Sequence, residues 1–227
     1  MTMIADMFVV TADSSAWEVV WGFFRQGGWF MLPILACSMI AVAIIFYKLG
    51  TLGKSAVIPD ALAKEVDKID EHLEKNSLDC IDDAFSDGET ALARLCSVAL
   101  SNAGKTQVEV QEAVQSAARE EIVKMNTGMP ALEVVITIAP LLGLLGTASG
   151  LVVVFANVGK DVGHTAEIGQ GIAMALNTTV AGLAVAVPTV IAHSHFNRKI
   201  ETMTVRLEVL MGKVTSALHQ HVFLKKS

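Results

Sequence analysis

Thr147 and the adjacent pair Thr178 and Thr179 lie inside two long apolar stretches, IAPLLGLLGTASGLVVVF and GIAMALNTTVAGLAVAVP. A threonine hydroxyl carries one donor and two acceptor sites, so in an apolar setting it can bond across to a neighbouring backbone or help hold a proton or a cation. On a helix turning about 100° per residue, Pro140, Gly143, Gly146, Thr147 and Gly150 fall on one stripe, and Gly146 and Gly150 form a GxxxG pair. Gly171, Ala175, Thr178, Thr179, Gly182 and Ala186 form a similar stripe in the second stretch. Two readings fit such stripes. Small residues let helix backbones approach while threonines bond between them; alternatively, Thr147 and Thr179 face a pathway and position an ion.

Neither stretch supplies the ionisable group that a proton path through hydrocarbon ordinarily uses at mid-depth. Glu133, Lys160, Asp161 and Glu167 all fall near the ends of the apolar runs, and His193 lies towards the end of the second. If these threonines serve an ion, another chain must bring the carboxylate.

The elements that position them are membrane helices. Of 227 residues 52% are hydrophobic, mean hydropathy is +0.52 and only 18% are charged. Asp, Glu, Lys and Arg are missing between Arg25 and Lys48, between Glu133 and Lys160, and between Glu167 and Arg198. Each gap can hold the roughly 20 residues that cross about 30 Å of hydrocarbon. The reading is an all-α polytopic membrane protein with three transmembrane helices at 28–49, 131–158 and 168–196, the second and third extended into a cytoplasmic helical domain.

Residues 1–27 read as a periplasmic leader. Trp17, Val20, Trp21 and Phe24 lie on one face of an amphipathic interfacial helix, and the first span is expected to act as an uncleaved export signal because no basic n-region precedes Arg25. Residues 50–130 read as the cytoplasmic helical domain. Pro59 opens one helix, a second is expected over about Glu89–Ala103, and a third starts at a Thr106–Glu109 capping box and runs to a kink at Gly128 and Pro130. Residues 159–167 form a short periplasmic loop. Residues 197–227 form a C-terminal helix with Ile200, Met203, Leu207, Leu210, Met211 and Val214 on one face. Lys48, Lys54, Arg119, Lys124, Arg198, Lys199, Arg206 and Lys213 outnumber Arg25 and Lys160, which places the N-terminus outside and the C-terminus in the cytoplasm.

Other signals carry little. Cys37, Cys80 and Cys96 are far apart and in no metal-ligand spacing, and no metal site is expected. Ser149 with His193 or His195 as base would make an intramembrane hydrolase, but the two lie towards opposite ends of their spans, so no enzyme is expected. The net charge of −6 gives no reason to expect nucleic acid. The acidic stretch Asp79–Glu89 reads as a solvated face, and Lys225 and Lys226 could touch anionic membrane lipid.

GLLGTASG followed by GIAMALNTTVAGLAVAVP resembles the two signature helices of the ExbB/TolQ/MotA proton-channel family. The three-span order, with a large polar block after the first span, resembles the ExbB/TolQ branch and differs from the four-span flagellar branch. The resemblance covers the layout of nearly the whole chain and the motif detail of about residues 130–198. It implies a homopentamer in the bacterial inner membrane around ExbD/TolR-like single-span partners whose membrane Asp accepts the proton. Proton motive force would then be passed to a TonB-like protein for outer-membrane transport. In that pattern Thr147 and Thr179 match pore-facing threonines, Pro140 and Pro188 match helix-bending prolines, and no cofactor is implied beyond the transported ion.

Met174 stands where many relatives carry glutamate, so Asn177 or a partner group would have to replace that side chain. Thr178 beside Thr179 is similar to the paired threonines of sodium-driven motors, which keeps Na⁺ as the alternative to H⁺. A TolQ-like subunit for envelope constriction, a motor for motility or defence, and a passive membrane scaffold are the other readings.

Overall fold

A computed structural model describes residues 28–53, 57–67, 90–157 and 165–226. The leader at 1–27, most of the loop at 159–167, Cys80, Asp79–Glu89 and the side chains of Met174, Lys225 and Lys226 lie outside the described part. Among the described residues all regular structure is helical: α1 (Met31–Thr51), α2 (Asp60–Asp67), α3 (Ala91–Ser101), α4 (Gln107–Asn126), α5 (Met129–Asn157) and α6 (Thr165–Lys226). Three helical stretches are long and apolar enough to cross a membrane: Met31–Thr51, and parts of Gln107–Ala156 and Gly171–Gln220. The protein is an all-α polytopic membrane protein, as its charge-free gaps predict.

The chain divides into two compact units, and α1 and α6 contribute to both. The first comprises residues up to Val42 and Ala131–Val190. Its interior combines larger groups, Met31, Ile34, Leu132 and Val154, with small ones, Ala139, Ala175, Thr178, Ala186 and Thr189. Many large side chains point outward: Leu144 and Phe155 on α5, and Leu176, Val180 and Val187 on α6, are all more than half exposed. In water such a surface would be a liability; against lipid it is the expected arrangement, because the tails are as apolar as leucine and helix association relies on close packing instead. Pro140 and Pro188 sit inside α5 and α6, each removing one backbone donor from the helical ladder.

The second unit comprises Ala43–Pro130 and Ile191–Ser227. It has an apolar core of its own. Leu52, Val66, Leu92, Leu95, Cys96 and Ala99 are buried around α3, and Val110, Val114 and Met125 line the inner face of α4. On α6, Ile200, Met203, Leu207, Leu210, Val214 and Ala217 are buried at alternating steps of three and four, a heptad seam. All six residues expected on one face of the C-terminal helix are in the core.

Local signals set the helix limits. Thr90 caps α3, its hydroxyl accepting from the Ala93 amide at 3.3 Å. Thr106 and Glu109 form the reciprocal box at the start of α4, where the Thr106 amide donates to the Glu109 carboxylate at 2.9 Å. This bonding, with the hydroxyl and amide of Thr106, holds the Glu109 carboxyl below the usual carboxylate range. α4 ends at Asn126, and Gly128, at φ 83°, turns the chain into α5. A Cβ there would come within 3.1 Å of Ile44 Cγ2, so both the dihedral and the space favour glycine.

Candidate functional site

The candidate site lies in the first unit, where α5 and α6 press together along their small residues. A Cβ on Gly143 would fall 2.8 Å from the Thr178 carbonyl oxygen and 2.9 Å from Thr179 Cα; one on Gly182 would fall 2.5 Å from the Ala139 carbonyl oxygen. Those neighbours are backbone atoms, which cannot rotate away. A Cβ on Gly146 would meet the Thr178 side chain, one on Gly150 the Ala175 methyl, and one on Gly171 the side chain of Val154. Without side chains at these positions the two backbones come close enough for hydroxyls of one helix to reach carbonyls of the other.

Two of them do. Thr178 Oγ1 lies 3.1 Å from the Gly143 carbonyl oxygen and 2.7 Å from that of Ala175, and Thr179 Oγ1 donates to the same Gly143 oxygen at 3.1 Å. Thr178 is 2% exposed and lies inside the seam; Thr179 is half-buried at its edge. Thr147, also half-buried, donates to the Leu144 carbonyl of its own helix at 2.7 Å. A hydroxyl has one proton. With those protons engaged on carbonyls, Thr147 and Thr179 present oxygen lone pairs to anything that approaches, which suits a cation or a protonated carboxyl rather than a carboxylate.

The structure thus brings together Gly143, Gly146, Gly150 and Gly182 with Ala175, Thr178 and Thr179. Ala186 is buried further along the same seam. Asn177 and Pro140 are half-buried, Pro188 is exposed, and Ser149 stands exposed on α5. Two contributors escape sequence reasoning. Ala139 supplies the carbonyl beneath Gly182, and Thr189, 1% exposed, donates to its own helix at Val185 over 2.7 Å. Ala139 lies four residues before Gly143 and could have been added to the stripe on spacing alone.

The second unit holds the described charged network. Arg94 grips Glu121 with two bonds, Nε at 2.9 Å and a terminal nitrogen at 2.5 Å, and Lys124 adds 3.1 Å to Glu121 and 2.9 Å to Glu120. The Arg94 guanidinium holds the Glu121 carboxyl below its ordinary range against the opposing effect of burial, and Glu121 in turn raises Arg94. Lys48, 1% exposed, donates to the Met125 carbonyl at the end of α4. Burial pushes the Cys96 thiol up to about 12, so it stays protonated and inert. Among the described residues no group of three His, Cys, Asp or Glu side chains is arranged to hold a metal.

A membrane protein whose spanning helices meet along a glycine seam, with threonine hydroxyls built into it, is the class these features define. A family model described as the MotA/TolQ/ExbB proton channel family matches residues 80–209. An ExbB homologue from Methanothermobacter thermautotrophicus is 27% identical over 85% of this chain and 68% of its own length. A biopolymer transport protein of ExbB type from Vibrio cholerae is 29% identical over 73% of this chain and 74% of its own. The Tol-Pal system protein TolQ of Pseudomonas aeruginosa is 32% identical over 50% of this chain and 49% of its own. The chain belongs to the MotA/TolQ/ExbB proton channel family, on its ExbB-like branch.

Proposed function

We propose that this chain is the channel and stator subunit of an energy-coupling complex in the bacterial inner membrane, with its N-terminus periplasmic and its C-terminus cytoplasmic. Five copies surround an ExbD/TolR-like single-span partner. The partner's membrane Asp takes up and releases the proton, and the work goes to a TonB-like protein that drives outer-membrane transport. The observation that carries this reading is the seam at Gly143. It holds two threonine hydroxyls in a pair of spans with no Asp, Glu, Lys or Arg between Glu133 and Lys160 or between Glu167 and Arg198. Such a seam can receive a protonated acid and has no acid of its own.

H⁺ is favoured over Na⁺ as the coupling ion. The second hydroxyl that a sodium site would use, that of Thr178, is bonded within the helix contact. A TolQ-like role in envelope constriction is the second reading, supported by the similarity to a Tol-Pal system protein.

The test is reconstitution of the full-length chain with and without a single-span partner bearing a membrane Asp, with proton uptake followed by a pH-sensitive dye. Uptake is expected only when both chains are present, and is lost when the partner's Asp becomes Asn. Gated, selective uptake by the chain alone would overturn the reading.

A further inference from the structure

In the second unit α6 carries a groove of about 210 Å³ lined by His195, Arg198, Lys199, Thr202, Met203 and Arg206, with Ile58 across from them. Its positions on α6 recur at steps of three and four, so the lining is one helix face. Ile58 and Met203 are 3% and 6% exposed and form an apolar floor; Arg198 is exposed and Lys199 half-buried above it. Of the acidic residues nearby, Asp60 is bonded to Arg206 at 3.3 Å, and Glu201, on the same helix, is not among the lining residues. The groove is therefore strongly cationic in a chain whose net charge is −6. Arg198 and Lys199 are also the first charges after the apolar run that ends at Phe196. At about 1.5 Å of rise per residue they come within about 5 Å of its end, the depth of lipid headgroups.

From this we infer a binding site for an anionic phospholipid headgroup. Arg198 and Lys199 would hold the phosphate, the arginine with paired N–H donors, while the acyl chains run back along the apolar stretch that ends at Phe196 and the polar head enters the groove beside Thr202. The occupant is a lipid and not a free anion because the charges stand at headgroup depth, directly after an apolar run that spans the hydrocarbon. Ion conduction is not required for the site, so it stands or falls separately from the channel reading.

Native mass spectrometry of the full-length chain, titrated with phosphatidylglycerol or with phosphatidylcholine, tests it. The wild type is expected to retain phosphatidylglycerol about tenfold more tightly than phosphatidylcholine. R198Q/K199Q should lose that preference, and K105Q/R119Q, which removes the same charge at exposed positions elsewhere, should keep it. Thr202→Trp fills the groove without altering charge and should also weaken retention. The site is overturned if R198Q/K199Q retains the preference, if Thr202→Trp binds as well as wild type, or if inorganic phosphate competes fully. It is equally overturned if R198Q/K199Q alters copy number while lipid retention is unchanged, since the groove would then be a contact between copies.

Discussion

The hydroxyl of Thr179 donates to the carbonyl of Gly143 across the α5–α6 seam at 3.1 Å, and Gly143 can be reached only because it has no side chain. The same glycine that lets the helices touch exposes the carbonyl that orients the threonine. Packing and polar chemistry in this seam therefore meet at one glycine, and a side chain added there should disturb both.

Gly143→Ala and Gly182→Ala each place a methyl against backbone atoms of the facing helix, at 2.8 Å and 2.5 Å. Overpacking of this kind costs about 1–3 kcal/mol. Gly212→Ala is the control, with nothing within 4 Å of the added Cβ; helix propensity there predicts a gain of up to about 1 kcal/mol. Thermal melts of the full-length protein in detergent should show the first two falling and the third level or rising. Equal melts for all three would mean the seam is not tight.

Thr178 and Thr179 should separate stability from transport. Thr178→Val removes a buried hydroxyl shared between two carbonyls and should lower stability by about 0.5–1.5 kcal/mol. Thr179→Val and Thr147→Val, at half-buried positions, should leave assembly intact and abolish partner-dependent proton uptake. Full uptake in both would favour a passive scaffold.

Lys48 predicts a local effect. Its ammonium meets the Met125 carbonyl at the C-terminal end of α4, where a cation also favours the helix dipole. Lys48→Met keeps the apolar stem and leaves the carbonyl without that donor, at about 1–3 kcal/mol. Hydrogen exchange should quicken in the last turn of α4, residues 122–126, with α3 unchanged. Uniform protection across both helices would show that the contact contributes nothing.

What the sequence makes legible depends on how local the cause is. Charge-free runs mark the spans because hydrocarbon excludes ions along a whole helix, and Thr106 with Glu109 marks the start of α4 because the cap is complete within four residues. The heptad face of α6 is equally visible, since spacing alone decides which side is buried. Lys48 is not: a lysine in the last turn of a span reads as an interface anchor, and its partner is a backbone carbonyl 77 positions away that no side-chain pattern announces. Periodicity also places Thr178 and Thr179 on one stripe without telling which is sealed in the contact. That depends on the helix rotation set by Gly143, Gly146 and Gly182 together.

The Arg94–Glu121 pair predicts how the second unit responds to acid. Glu121 has a side-chain exposure of 7%, and its carboxyl is held below the ordinary range by Arg94 and Lys124. A carboxyl depressed in the folded state contributes stability above its unfolded pKa of about 4.3 and loses it as pH falls through the lower folded value. The wild type should therefore lose stability steeply below about pH 4.3, and Glu121→Gln should lose less, so that the gap between them narrows with acid. Arg94→Met should be worse than Glu121→Gln at neutral pH, because it leaves a buried carboxylate with Lys124 alone, whereas the glutamine leaves an arginine that is 41% exposed to water. Melting temperatures of the three proteins between pH 7 and pH 3.5 decide it. A gap that stays constant over the range would remove Glu121 as the titrating group.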